Sequence, residues 1–111
     1  MTQFGVNLLR LLPGAWSSQR HWHRAEDEFV WVLEGEVVLV TDAGEEVLRA
    51  GDCAGFRAGI ADGHHLQNRS DRDALLLEVG SRMDEEERVT YPNIDLRWEA
   101  FGYTRTDGTR Y

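Results

Sequence analysis

The chain has 111 residues, 41% hydrophobic and 29% charged, which suits one globular domain with a single core and excludes a disordered or disulfide-stapled chain. Its 20 acidic residues against 12 basic ones give a net charge of −8, which repels a phosphate backbone or an anionic bilayer, so neither nucleic acid nor membrane is expected as a partner. There is no lysine for Schiff-base or P-loop chemistry, and the single cysteine, Cys53, permits neither an internal disulfide nor a cysteine-based zinc finger.

The hydrophobic pattern alternates with a period of two and is interrupted at short intervals by Gly, Pro or Asp, the pattern of an all-β sandwich or barrel. A first strand is predicted over residues 4–12, ending at Pro13-Gly14, and a second over 16–23. Residues 29–41 read as two strands hinged at Glu34-Gly35, and the turn Asp42-Ala43-Gly44 leads into a strand over 45–50. Gly51-Asp52 turns the chain into 53–57, a glycine-bounded loop follows over 59–63, and 64–68 and 74–79 supply the last core strands. The acidic run 84–87 reads as a solvated turn. From Tyr91 the aromatic, turn-rich tail is expected to lie across the barrel or a second subunit. No apolar run approaches the roughly 18 to 20 residues of a membrane span, and the first residues lack the basic and long apolar regions of a leader, so a cytoplasmic protein is expected.

The chemistry concentrates in HWHRAEDEF. Residues two apart on a strand share a face, so His21 and His23 point together while Trp22 points away. Glu28 opens the next strand after a short turn, where an antiparallel return brings its carboxylate toward the pair. Two nitrogens and an oxygen suit a divalent transition metal with open positions, whereas His-x-His alone reads as two ordinary histidines. The remaining two histidines, His64 and His65, open another strand after the glycine-rich loop and offer a third imidazole.

These residues resemble the cupin family. Its first motif, G-x5-H-x-H-x(3,4)-E-x6-G, is matched by Gly14, His21, His23, Glu28 and Gly35 with one extra residue before the first histidine. Its second, G-x5-P-x-G-x2-H-x3-N, is matched by Gly51, Gly59, His64 and Asn68, with Arg57 in place of the proline and two residues inserted before His64. The resemblance spans residues 4–80 and implies a small jelly-roll β-barrel, the double-stranded β-helix, as one domain over 1–111 with a tail over 81–111. It implies His21, His23, Glu28 and His64 as ligands of a divalent transition metal, Zn, Fe, Mn or Ni. His64 is chosen over His65 because it stands three residues before Asn68 and because alternation puts His64, Leu66 and Asn68 on one face.

Several neighbours have a functional and a plainer reading. Glu26 and Asp27 either support an imidazole or face solvent, and Trp16, Trp22 and Trp31 either border a cavity or pack the outer face. Val30 and Val32 share the face of Glu28 as cavity wall or core. Arg57 either binds an anionic substrate at the barrel mouth or forms a rim salt bridge, and Cys53, with no activating base in sight, reads as a small core residue.

The function expected is a metal-dependent enzyme of dioxygenase, isomerase or lyase type acting on a small organic molecule. Three neutral imidazoles and one carboxylate leave a divalent ion with a net positive charge, which favours anionic ligands. The alternative is a non-catalytic ligand-binding or sensing module. A homodimer is expected, since strand 4–12 carries a single charge, Arg10, and is poorly protected as a free edge; otherwise the aromatic tail covers its own barrel.

Overall fold

The computed structural model describes residues 2–82, 88–91, 96–99 and 102–104. Among these the regular structure is all strand: β1 (Phe4–Leu11), β2 (Trp22–His23), β3 (Glu28–Glu34), β4 (Glu36–Thr41), β5 (Gly44–Arg49), β6 (Cys53–Phe56), β7 (His65–Gln67), β8 (Ala74–Ser81), β9 (Arg88–Tyr91), β10 (Leu96–Glu99) and β11 (Gly102–Thr104). They form antiparallel sheets in the orders β1-β8-β3-β6, β5-β4-β7 and β11-β10-β9-β2. This is the all-β architecture expected from the period-two pattern, in the jelly-roll form that the resemblance implies. No helix among the described residues is long and apolar enough to cross a membrane.

Alternation decides which side chains meet between the first two sheets. Val30 and Val32 of β3, Leu76 of β8, Val37 and Leu39 of β4, Leu48 of β5 and Leu66 of β7 form one buried cluster with Leu11 and Ala74. Each such side chain contributes roughly 1.5–3 kcal/mol on burial, so the cluster holds the two sheets face to face.

Gly35 makes the change of sheet between β3 and β4 possible. Its φ is +80°, and a Cβ there would stand 2.7 Å from the Asp73 carbonyl oxygen, so the corner needs a residue with no side chain. Asn68 ties down the far side of the same region. It is 1% exposed, donates from Nδ2 to the carbonyls of Leu11 and Arg72, and accepts at Oδ1 from the Ser70 amide and hydroxyl. The asparagine of the second motif is therefore a structural pin, with its side-chain hydrogen bonds satisfied inside the protein.

Three expectations change. The strand predicted over 16–23 contracts to Trp22–His23, with Trp16 and His21 held only by isolated bridges to Gln67 and His64. Serine side chains replace part of the ladder there, since the Leu66 amide donates to Ser17 Oγ. Cys53 is exposed rather than core, because it pairs with Trp31 on the outward face of the first sheet. The tail adds strands β9, β10 and β11 onto β2 where irregular turns were expected, and the acidic run 84–87 lies outside the described residues.

Candidate metal centre

The four expected ligands converge. Oε1 of Glu28 lies 2.5 Å from His23 Nε2, 3.3 Å from His64 Nε2 and 3.4 Å from His21 Nε2. One donor atom each from His21, His23 and Glu28 fit within 4.8 Å of one another, and the His64 ring centre is 5.0 Å from that of His21.

Local structure aims each group. His23 lies on the short β2 and His21 just before it, Glu28 begins β3, and His64 is bridged to His21 through the backbone. The Gln19 carbonyl accepts from His21 Nδ1 at 2.9 Å, with Ser18 Oγ at 3.1 Å, which leaves the Nε2 lone pair pointing at Glu28. Glu26 Oε1 stands 3.8 Å from His23 Nδ1 and supports that ring from behind. Phe56 of β6 stacks on His64, with centroids 3.7 Å apart and planes within 4°.

His65 points elsewhere. Its Nδ1 meets the Ser18 carbonyl at 3.0 Å, its Nε2 meets Gln67 Nε2 at 2.9 Å, and Trp16 packs 4.8 Å from its ring. Both nitrogens are thus occupied away from Glu28. Burial, outweighing the Ser18 contact, pushes its pKa below the ordinary imidazole value.

The electrostatics around Glu28 are those of a carboxylate among cation-binding groups. Burial by itself raises a carboxyl pKa, but the three imidazoles gathered around this one hold it well below the usual carboxylate range. Glu28 Oε1 and His64 Nε2 are both buried without a hydrogen-bond partner. Orphaned buried acceptors facing each other are costly unless a cation or proton lies between them, so the donor set fits a divalent ion of the N3O type.

Two of the cavities that reach the cluster have different linings. One, of about 240 Å3, is bordered by Trp22, Phe56, Arg57 and Ile60 and leads to His23, Glu28 and His64. The other, of about 140 Å3, runs between His21, Glu28, Phe56 and His64 toward Val30 and Glu78. Trp22 and Arg57 line the first cavity, and Arg57 has no ion pair among the described residues. Val30 and Val32 are buried beside Glu28's face, Trp31 and Trp16 lie on exposed surface, and Asp27 Oδ1 accepts from the Ala58 amide.

Sequence reasoning missed Phe56 and Glu78. The signal for Glu78 was present: Ala74 and Leu76 are core residues, so a glutamate at the next position of the same parity must face inward.

A jelly roll with three imidazoles around one carboxylate is the architecture of the cupins, and the cupin domain profile matches residues 7–80, so the chain belongs to that family. Among solved structures, it is 48% identical to one described as a sugar phosphate isomerase from a cupin superfamily in Silicibacter pomeroyi, with a TM-score of 0.92 over 100% of this chain and 73% of that one. It is 29% identical to an Acidithiobacillus ferrooxidans protein provisionally described as a sugar phosphate isomerase, with a TM-score of 0.85 over 95% of this chain and 67% of that one. A Thermus thermophilus structure is 34% identical, with a TM-score of 0.66 over 73% of this chain and 74% of that one. No curated protein matched.

Proposed function

We propose that this cupin is a divalent-metal-dependent enzyme of isomerase type acting on a small anionic molecule of the sugar phosphate class. The observation that carries the reading is the convergence of His21, His23 and His64 on Glu28, with two of their polar atoms buried and unpartnered. His21, His23, Glu28 and His64 hold the ion, which is Zn, Fe, Mn or Ni. When bound, it supplies Lewis-acid polarisation of a substrate oxygen. Arg57 stands at the edge of the 240 Å3 cavity, where a guanidinium suits a phosphate or carboxylate group. The likeness to two structures described as sugar phosphate isomerases favours isomerisation over the dioxygenase and lyase types. The active form is a cytoplasmic homodimer.

The test is reconstitution of the protein with each of the four metals, followed by assay of aldose and ketose phosphates. Stoichiometric metal with interconversion of one pair supports the proposal. Tight binding of a sugar phosphate with no turnover makes the chain a sensing module instead, and failure to bind any of the metals overturns the whole reading.

A further inference from the structure

An enzyme that interconverts α-hydroxycarbonyl compounds must move a proton between neighbouring carbons, and Glu28 is poorly suited to that task. Its carboxylate faces three imidazoles as part of the ligand set. A second carboxylate stands beside it. In the β3–β8 ladder Glu28 is opposite Gly80 and Val30 is opposite Glu78, so Glu28 and Glu78 are diagonal neighbours on the inward face, with a separation of roughly 7–8 Å.

The row through Glu28 continues over Gly80 to Gly5 of β1. The Arg82 guanidinium lies over Gly5, and a cavity of about 230 Å3 beside these glycines is bordered by Asn7, Glu78 and Arg82 and reaches His23 and Glu28. Glu78 also lines the 140 Å3 cavity that contains His21, Glu28 and His64. It thus borders two separate approaches to the cluster. Its side chain makes no hydrogen bond or ion pair among the described residues, so its oxygens are available to a molecule in either space.

On the isomerase reading above, we propose that Glu78 is the residue that carries the proton between the two reacting carbons of the substrate. A Glu78 oxygen takes the proton from the hydroxyl-bearing carbon: the C–H bond breaks, an O–H bond forms on Glu78, and the released pair becomes the C=C bond of an enediol as the carbonyl π pair moves onto its oxygen. The proton on Glu78 exchanges in part with solvent; its O–H bond then breaks as it bonds to the former carbonyl carbon through the C=C π pair, while the other hydroxyl gives its proton to the first oxygen and becomes the new carbonyl. The exchange is redox-neutral and needs no further reactant.

The test uses the full chain loaded with Mn2+, as wild type, Glu78→Gln and Glu78→Asp. Two readouts are taken: Mn2+ affinity by calorimetry, and deuterium incorporation from D2O into glucose 6-phosphate, ribose 5-phosphate and glyceraldehyde 3-phosphate by NMR. Glu78→Gln is expected to bind Mn2+ within about threefold of wild type while losing exchange by about 10²–10⁴-fold, with Glu78→Asp intermediate. Exchange by Glu78→Gln within about threefold of wild type overturns the proposal, and a loss of Mn2+ affinity beyond about tenfold makes Glu78 a metal ligand instead. If Glu78→Gln does not fold, Glu78→Met takes its place, and exchange by that variant within about threefold of wild type overturns it equally. A wild type that exchanges none of the probes defeats the isomerase reading and this proposal with it, an outcome distinct from an active wild type matched by an active Glu78→Gln.

Discussion

His21 and His64 face each other across an isolated antiparallel bridge, the amide of His21 donating to the His64 carbonyl at 3.1 Å and the amide of His64 to the His21 carbonyl at 2.8 Å. Two residues that exchange both hydrogen bonds stand about 5.5 Å apart at Cα with side chains on one face. The backbone thus sets the distance between two imidazoles that are far apart in sequence, and the cluster is assembled before any ion arrives.

A preassembled cluster that binds an ion only in the folded state gains stability by mass action. Adding Zn, Mn, Ni or Fe should raise the melting temperature, by a stabilisation of about 2.7 kcal/mol at 100 times the Kd, and a chelator should reverse it. The same affinity should fall as pH is lowered, because protons compete with the metal for the donor atoms. Melting curves with and without EDTA, and calorimetric titrations across pH, check both. An unchanged melting temperature with all four metals defeats the expectation.

The two adjacent histidines should separate cleanly on mutation. His64→Ala removes an imidazole 3.3 Å from Glu28 and should weaken metal binding by about 10-fold or more. His65→Ala should leave metal affinity nearly unchanged but lower stability by about 1–3 kcal/mol, since it orphans the Ser18 and Gln67 partners and empties the space beside Trp16. Metal calorimetry paired with urea unfolding checks the split. A larger loss of affinity at position 65 contradicts the placement.

His65 also gives a pH signature. Its folded pKa is depressed below the ordinary 6.5, mainly by burial, so the unfolded chain binds the proton more readily. Its contribution is intact above pH 6.5 and is lost as pH falls from there through the lower folded value. Glu28 acts in the same sense further down, since its depressed pKa makes its contribution fade only below the ordinary carboxylate value of 4.5. Urea midpoints of the metal-free protein should therefore begin to decline below pH 6.5, and the decline should be shallower in His65→Gln. Parallel curves for the two proteins contradict this assignment.

The parts of the site that were legible in the sequence are those fixed by parity and short spacing. His21 and His23 are two apart in sequence, Glu28 stands seven residues before the Gly35 corner, and His64 shares its parity with Leu66 and Asn68. Other features depend on pairing between strands distant in sequence. Cys53 faces outward because it is registered against Trp31, and Glu78 neighbours Glu28 because β8 meets β3 with Gly80 opposite Glu28. The short β2 was obscured because the polar stretch before it satisfies its backbone partly through serine side chains, which no alternation pattern reveals.

The outward face of the first sheet carries the expectation of a dimer. Val6, Val79 and Phe29 form one registered row across β1, β8 and β3, and Leu8, Leu77 and Trp31 form the next. Phe4, Val6, Leu8, Phe29 and Trp31 are 38–64% exposed, and β1 lies at the edge of its sheet. An apolar face beside an open strand edge is self-complementary about a two-fold axis, where β1 pairs with its copy and the rows of one face cover those of the other. The rest of this chain, at a net charge of −8, repels a second copy, so association should concentrate on this uncharged patch. Light scattering at micromolar concentration should give twice the 12.7 kDa chain mass, and Leu8→Glu or Trp31→Glu should return it to one chain while leaving metal affinity intact. A wild-type mass that stays at 12.7 kDa as concentration rises rejects the dimer, and a dimer that survives both substitutions places the interface elsewhere.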